Sequence, residues 1–295
     1  MWRSALFIPV TEPRFLAKAP RRGAEAIILD LEASVVTERK DEARAALPTA
    51  IETLKDSRLD VLVRVNTGWR MPFLDVEAAA IRGVRAILVP DVREPSILIA
   101  LNGLLTELEQ DRGLPTGSIA LVPIIESAAG VEAAPSIARA RRVEALAFGV
   151  EDFLADIYGL PDPTLLDHTA LRIVSAARAA GRVPLVFPES LAVLEDMVRF
   201  KAAATRARTF GSEGGFAVHP RQVEVLNACF SPSQAEIAQA QRILEANAAA
   251  ERDGTGAFTL DGRMIDRPIV LRARRLLDSA TRVQKTCKGR SDVHG

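Results

Sequence analysis

The chain has 295 residues, of which 48% are hydrophobic and 26% are charged, a composition typical of globular proteins. Lys plus Arg number 38 and Asp plus Glu number 38, so the formal net charge is zero. This balance argues against a broad nucleic-acid-binding surface, which requires a clear basic excess.

The cysteines and the apolar segments indicate the environment of the protein. Cys229 and Cys287 form no CxxC pair, so we expect no disulfide framework. No apolar run approaches the ~20 residues that a membrane-spanning helix requires. The N-terminus has no charged segment followed by an apolar one, and we therefore expect a cytoplasmic protein.

Eight short apolar runs alternate along the chain with longer amphipathic segments. Most runs are nearly continuous in Val, Ile, Leu, Ala and Phe, which is typical of strands buried on both faces of a parallel sheet. In chain order they are Ser4–Val10, Ala26–Glu32, Val61–Asn66, Ala86–Val92, Ala120–Ser127, Ala145–Asp152, Pro184–Ser190 and Gly215–Pro220. Eight such units in series favour an α/β fold of the closed (β/α)8 (TIM) barrel type, spanning residues 1–230.

The segments between the runs carry apolar residues at helical spacing, most clearly in Glu38–Lys55, Ser96–Gln110 and Thr164–Ala180. A C-terminal extension over residues 231–282 follows the eighth run. Its pattern predicts a helix from Pro232 to about Ala250 and two short strands around Phe258–Leu260.

A last helix is predicted to open at Asp266-Arg267-Pro268 and to end near Thr281. The polar residues 283–295 are expected to form a disordered tail.

Polar residues end most of the predicted strands. They are Asp30 and Glu32, Arg64 and Asn66, Asp91, Glu126, Glu151 and Asp152, Glu189, and His219. Active sites of such barrels form at the C-terminal ends of the strands, where these side chains converge. Converging carboxylates raise one another's pKa unless a cation neutralises them. Mg²⁺ typically takes one or two protein carboxylates, and Glu126 and Asp152, which end neighbouring strands, are the best candidates.

Each of these residues also has a structural interpretation. A single carboxylate at a strand end can cap a helix or pair with an arginine. Arg64 can donate a bidentate fork to a substrate carboxylate or an enolate oxygen, or pair with Asp30 or Glu32, and the two roles are compatible. Asn66 can donate an amide hydrogen bond to substrate. His219, a lone histidine on an apolar strand, is interpreted as structural.

Six segments together resemble a known family. They are Phe7-Ile8-Pro9, Ile28-Leu29-Asp30-Leu31-Glu32-Ala33-Ser34-Val35, Arg64-Val65-Asn66, Ile125-Glu126-Ser127, Phe148-Gly149-Val150-Glu151-Asp152 and Val218-His219-Pro220-Arg221-Gln222-Val223. This set resembles the citrate lyase β-subunit-like proteins of the HpcH/HpaI aldolase superfamily, whose relatives include malyl-CoA and citramalyl-CoA lyases. The resemblance covers about residues 3–282.

The resemblance implies a Mg²⁺-dependent carbon–carbon lyase, or the reverse condensation, acting on the CoA thioester of a 3-hydroxy acid. It implies that Glu126 and Asp152 hold the metal and that Arg64 binds and polarises the substrate. Asp30 and Glu32 join Arg64 as candidate catalytic residues in or behind the mouth of the barrel. Arg64, Asn66 and Glu126 are the candidates for contact with the substrate.

The segment Gly262–Asp266 resembles the family's lid, in which the matching aspartate reaches a neighbouring subunit's site and acts as an acid/base. The resemblance therefore implies that Asp266 is catalytic and that the protein is a homo-oligomer, a trimer or hexamer, or has partner subunits in a lyase complex. The alternative is that Asp266 caps the last helix ahead of Pro268.

One departure from the family pattern keeps other functions open. Ala33 stands where family members usually carry an aspartate, so one carboxylate of the mouth is missing. The alternatives are a CoA-independent 2-oxo-acid aldolase of the same superfamily and a catalytically degenerate subunit that still binds metal.

Overall fold

Eight parallel strands form the first part of the molecule. In the computed structural model, which describes residues 2–291 and the side chains of residues 2–284, they are β1 (Ser4–Pro9), β2 (Ala26–Asp30), β3 (Asp60–Arg64), β4 (Val84–Val89), β5 (Ala120–Ile125), β6 (Ala145–Phe148), β7 (Val183–Leu185) and β8 (Gly215–Ala217). Their order is β7–β6–β5–β4–β3–β2–β1–β8. Each strand begins within two residues of its predicted run. Asp30 and Arg64 end β2 and β3, whereas the other polar ends of the runs lie in the following loops or helices.

Nine α-helices follow or connect the described strands of this part. They are α1 (Pro13–Leu16), α2 (Lys40–Leu54), α3 (Arg70–Ala79), α4 (Ser96–Asp111), α5 (Ala128–Ile137), α6 (Val150–Asp156), α7 (Pro163–Ala179), α8 (Met197–Phe210) and α9 (Pro220–Cys229). Short 3-10 turns cover Ala19–Arg22 and Thr37–Arg39. None of the helices in the described part of the chain is long and apolar enough to cross a bilayer.

The barrel closes at a seam between β7 and β8, which is held largely by Ser212. Its hydroxyl accepts a hydrogen bond from the Val186 N–H at 2.9 Å and donates to the Pro184 carbonyl at 3.1 Å. The Glu213 N–H donates to the same carbonyl at 2.9 Å. The sheet is therefore a nearly closed barrel, and the predicted (β/α)8 fold is confirmed.

Alternation along the strands places the polar residues at the mouth. Ile28, Leu62 and Ile124 belong to the cluster that fills the barrel interior, whereas their sequence neighbours pack against the surrounding helices. Side chains two residues apart on a strand share a face. Asp30, Arg64 and Glu126 each come two residues after one of these interior side chains, so the pattern directs them into the mouth.

A second compact unit begins at Ser231. It contains α10 (Gln234–Arg252), an antiparallel hairpin of β9 (Phe258–Leu260) and β10 (Arg263–Ile265), and α11 (Arg267–Ser291). A capping box between Ser233 and Glu236 starts α10. The hairpin turns through Asp261 and Gly262, which both have positive φ, as a tight two-residue turn requires.

The last helix differs from its predicted end. It runs to Ser291 instead of about Thr281, so residues 283–291 are helical, contrary to the predicted disordered tail. The apolar residues Val270 and Ala273 anchor its first turns on Ala240 and Ile243 of α10, and the amphipathic pattern continues beyond them. The rest of the predicted tail, residues 292–295, and the side chain of Cys287 lie outside what the structure describes.

Candidate active site

A cavity of about 160 Å³ opens at the C-terminal ends of the barrel strands. Arg64, Glu126 and Asp152, predicted from three different parts of the sequence, all line it. Asp30 and Glu32 reach the same place because both pair with Arg64. The structure therefore brings together the five residues on which the sequence interpretation depends.

Arg64 is held by two carboxylates and an aromatic ring. Its Nε and Nη2 donate to the two carboxylate oxygens of Asp30 at 2.7 and 2.8 Å, and its Nη1 lies 3.0 Å from Glu32 Oε2. The guanidinium carbon lies 4.5 Å from the centre of the Phe7 ring. Arg64 thus pairs with Asp30 and Glu32, as its structural interpretation expects, and also lines the cavity, while its binding of substrate stays a prediction.

The charges around Arg64 set different pKa values for its two partners. Burial tends to raise the pKa of Asp30, but the hydrogen bonds and charge of Arg64 outweigh it and hold that pKa below its usual value. Burial raises the pKa of Glu32, and the charges of Asp30 and Asp152 add to the effect against the opposing charge of Arg64. Asp30 is therefore a fixed anion, whereas Glu32 takes up a proton more readily.

Glu126 is a buried carboxylate in a field of negative charge. Only 7% of the residue is exposed, and its Oε2 accepts a hydrogen bond from the Asp91 N–H at 2.7 Å. Burial raises the pKa of Glu126 to about 8; the Asp91 hydrogen bond opposes the rise, and the charges of Asp152 and Glu32 add to it. A cation beside Glu126 would relieve this unfavourable charge.

Gly149 lets the Glu126 side chain occupy this position. A Cβ atom on residue 149 would lie 2.2 Å from Glu126 Oε1, well inside contact distance. The Gly149 N–H donates to the Ile125 carbonyl at 3.0 Å, which keeps the two loops together. This role of Gly149 does not follow from the motif in which it lies, because the contact joins residues that are distant in the chain.

Asp152 is the second of the two predicted metal ligands. It lies in the first turn of α6 and is exposed, on the rim of the cavity that Glu126 also lines. Within residues 2–284 no group of three or more His, Cys, Asp or Glu side chains is arranged to hold a metal. Two carboxylates nevertheless fit Mg²⁺, which keeps several positions for water and substrate oxygens. The donor set and its excess negative charge suit this ion.

Asn66 does not line the cavity. Its N–H and its Nδ2 both donate to Oδ2 of the buried Asp75 at 2.7 Å, and Arg44 donates to the other oxygen of Asp75 at 2.7 Å. This network holds the loop that follows β3. The binding of substrate by Asn66 stays a prediction.

Two further polar strand ends have structural partners. Glu189 lines the cavity, but Arg199 donates to its two oxygens at 2.7 and 2.8 Å. His219 caps α9, and its Nδ1 accepts a hydrogen bond from the Arg221 N–H at 3.2 Å. The capping contact agrees with a structural role for His219.

Asp266 lies in the C-terminal unit, between β10 and α11. Its carbonyl accepts hydrogen bonds from the N–H groups of Ile269 and Val270 at 3.0 and 3.1 Å, so the backbone of Asp266 starts the helix. Its side chain is partly exposed, and the predicted acid/base role stays a prediction.

Comparison with known proteins assigns the chain to a family. The family model for HpcH/HpaI aldolase/citrate lyase matches residues 3–220. The citrate lyase subunit beta of Leuconostoc mesenteroides is 33% identical over 283 residues, which cover 94% of this chain and 93% of the relative. The L-malyl-CoA/beta-methylmalyl-CoA lyase of Cereibacter sphaeroides is 32% identical, and the match covers 90% of this chain and 90% of the relative.

A solved structure of similar fold holds ligands of direct interest. The CitE protein of Mycobacterium tuberculosis, in complex with magnesium, acetoacetate and coenzyme A, superposes with a TM-score of 0.75 at 28% identity. The match covers 94% of this chain and 97% of that one. The family model, the sequence relatives and the barrel agree, and the chain belongs to the HpcH/HpaI aldolase/citrate lyase family.

Proposed function

We propose that this protein is a Mg²⁺-dependent lyase that cleaves or forms a carbon–carbon bond in the CoA thioester of a 3-hydroxy acid. The observation that carries the proposal is the buried Glu126 carboxylate, which lines the same cavity as Asp152 and Arg64 at the C-terminal ends of the strands. Burial and the charges of Asp152 and Glu32 raise the pKa of Glu126, as expected for a group placed to bind a cation. Burial and the neighbouring carboxylates disfavour the ionised form of Glu126, and a bound cation would favour it. Glu126 and Asp152 would hold that cation.

Magnesium bound there supplies a Lewis acid for the oxygens of the oxo-acid half of the substrate. Cleavage would begin when the 3-hydroxyl loses its proton. Its oxygen then forms the carbonyl group of the released oxo acid as the carbon–carbon bond breaks, and the electron pair of that bond passes to the thioester, which becomes an enolate. Arg64 presents a fixed positive charge in the cavity, oriented by Asp30 and Phe7. Donors fixed in advance stabilise developing oxyanions without reorganisation.

The acid/base roles follow from the two pKa directions. Asp30 is locked to Arg64 and its pKa is lowered, so it orients the guanidinium and does not move a proton. Glu32 has a raised pKa and is the better candidate in the barrel for accepting the hydroxyl proton. Asp266 of a neighbouring subunit is the candidate for protonating the enolate, which makes a homo-oligomer part of this proposal.

An apolar part of the cavity lining, called here the apolar wall, favours a small oxo acid with one carboxylate. It is formed by Phe148, Leu185, Phe187, Leu191, Ala192 and Phe216. Among the charged residues that line the described cavity, Arg64 is the cation, and it already pairs with Asp30 and Glu32. A second substrate carboxylate would be desolvated here beside Glu189.

The test is a lyase assay with malyl-, citramalyl-, citryl- and hydroxymethylglutaryl-CoA, each with and without Mg²⁺. We expect Mg²⁺-dependent release of an oxo acid from at least one thioester and none from the free hydroxy acids. The relatives named for CoA esters do not favour the CoA-independent aldolase, which cleavage of the free acids would support. Tight Mg²⁺ binding with no turnover of any thioester would support the degenerate subunit.

A further inference from the structure

Arg93 joins the helix that carries one proposed metal ligand to the loop whose backbone contacts the other. Its Nε donates to both carboxylate oxygens of Asp91 at 3.0 Å, and its Nη2 lies 3.2 Å from Asp156 Oδ1. Asp91 belongs to the loop after β4, and Asp156 is the last residue of α6. One guanidinium therefore joins this loop to the helix that presents Asp152.

On one side, Asp91 acts on Glu126 through its backbone. Its N–H donates to Glu126 Oε2 at 2.7 Å, and its φ of 45° is unusual for a residue with a side chain. The next N–H, of Val92, donates to the Ile124 carbonyl of β5 at 3.3 Å. Holding the Asp91 side chain therefore helps to hold the peptide that orients Glu126.

On the other side, Asp156 is linked to both ligands. It comes four residues after Asp152 on α6, and residues at this spacing share a helix face. Its second oxygen accepts a hydrogen bond from the Ala128 N–H, two residues after Glu126, at 2.9 Å. The position of Asp156 thus fixes α6 against the start of α5.

The geometry points to Arg93 as a positioning residue: by bridging Asp91 and Asp156 it sets the spacing of Glu126 and Asp152 and so strengthens their binding of a divalent cation. This inference rests on the proposed metal site. Arg93 is 53% exposed, and exposed ion pairs add little to the stability of a fold. Groups that orient metal ligands from behind typically change metal affinity by about 10–100-fold.

The sign of the effect separates positioning from simple electrostatics. Arg93 carries a positive charge close to a cation site, so its removal should strengthen cation binding if charge alone mattered. Positioning predicts the opposite. It also predicts a larger change for Mg²⁺ than for Ca²⁺, because Mg²⁺ demands near-ideal octahedral geometry and Ca²⁺ tolerates variation.

The experiment is calorimetric titration of the metal-free full chain with Mg²⁺ and with Ca²⁺, together with thermal unfolding. We expect Arg93→Gln to bind Mg²⁺ about 10–100-fold more weakly, to lose less affinity for Ca²⁺ and to unfold at nearly the wild-type temperature. The control is Arg172→Gln, which removes a similarly exposed arginine whose Nη1 lies 2.7 Å from Glu132. This control should bind Mg²⁺ as the wild type does.

A second variant keeps the inference open to refutation if Arg93→Gln folds poorly. Asp156→Asn keeps an oxygen for the Ala128 N–H but removes the charge that faces Arg93, and should also weaken Mg²⁺ binding. The double variant should lose little more Mg²⁺ affinity than the single variant with the larger loss, since both substitutions break the same bridge. Unchanged or tighter Mg²⁺ binding in Arg93→Gln would overturn the inference, whereas failure of the wild type to bind Mg²⁺ would overturn the proposed function.

Discussion

Gly149 and Glu126 are in such close contact that residue 149 has no room for a side chain: a Cβ atom there would lie 2.2 Å from Glu126 Oε1 and 2.5 Å from its Cγ. Gly149→Ala must therefore displace the Glu126 carboxylate or shift the loop after β6. We expect Mg²⁺ affinity to fall by about 10–100-fold, measured by titration of the metal-free protein. The control is Gly103→Ala in α4, where a Cβ meets nothing within 4 Å. That change should leave Mg²⁺ binding intact, and equal affinities in the two variants would contradict the packing argument.

The metal ligands themselves give the simplest prediction. Glu126→Gln and Asp152→Asn keep the size of each side chain but remove the charge, and each should abolish both Mg²⁺ binding and thioester cleavage. Glu132→Gln, on an exposed face of α5, is the matched control and should behave as the wild type. Wild-type turnover in either ligand variant would refute the proposed site.

Binding of Mg²⁺ should depend on pH through Glu126. In the metal-free protein its pKa is raised to about 8 by burial and by the charges of Asp152 and Glu32, so below that pH the carboxyl group holds a proton. The cation must displace this proton. Affinity should therefore rise by about tenfold per pH unit toward pH 8 and then level off. Calorimetry in two buffers of different ionisation enthalpy should show release of about one proton near pH 7, and a flat pH profile would contradict this assignment.

Arg64→Lys tests whether the geometry of the guanidinium matters beyond its charge. A lysine keeps the positive charge but cannot form the bidentate fork with Asp30 or present the planar donors that Arg64 offers. We expect kcat to fall by about 10²–10³ with Mg²⁺ affinity nearly unchanged. Steady-state kinetics and metal titration on the same preparation separate the two effects. An equal loss of metal affinity would assign Arg64 to the metal site instead of the substrate.

The apolar wall predicts the choice of oxo acid. In the condensation direction with a short acyl-CoA, glyoxylate or pyruvate should react with a kcat/KM at least about tenfold that of oxaloacetate, whose second carboxylate meets the wall. Leu191→Lys places a cation in that wall, which can pair with the second carboxylate of oxaloacetate. It should therefore reduce the ratio of kcat/KM for glyoxylate or pyruvate to kcat/KM for oxaloacetate. The exposed Leu194 lies outside the cavity lining, so Leu194→Lys is the control and should leave the ratio unchanged. Preference of the wild type for oxaloacetate would contradict this choice of substrate.

The sequence predicted the barrel and its mouth well because both follow from local patterns. A continuous apolar run that ends in a carboxylate, as at Ile28 to Asp30, predicts a buried strand and a polar mouth together, and the period of two then orients the side chain. No local sequence pattern predicts the roles of Gly149 and Arg93. Their roles depend on contacts between loops that only the closed barrel brings together.

Two other differences have equally physical causes. The sequence did not indicate that Asn66 donates an amide hydrogen bond to the buried Asp75, nine residues later and on α3. Its binding of substrate stays a prediction. The last helix was predicted too short because its later turns carry many charged residues, and a charged helix face and a disordered tail look alike in sequence.

The seam closed by Ser212 lies beside the apolar wall. Leu185 of this wall is the last residue of β7, and Phe187 follows two residues later. β7 and β8 are also short, with three residues each, whereas the strands that lead to Arg64 and Glu126 have five and six. Strand pairing is correspondingly shorter here: β6 and β7 pair over three residues, whereas β2 and β3 pair over five. A change in the proposed substrate wall therefore disturbs a shorter stretch of strand pairing than a change beside Arg64 would.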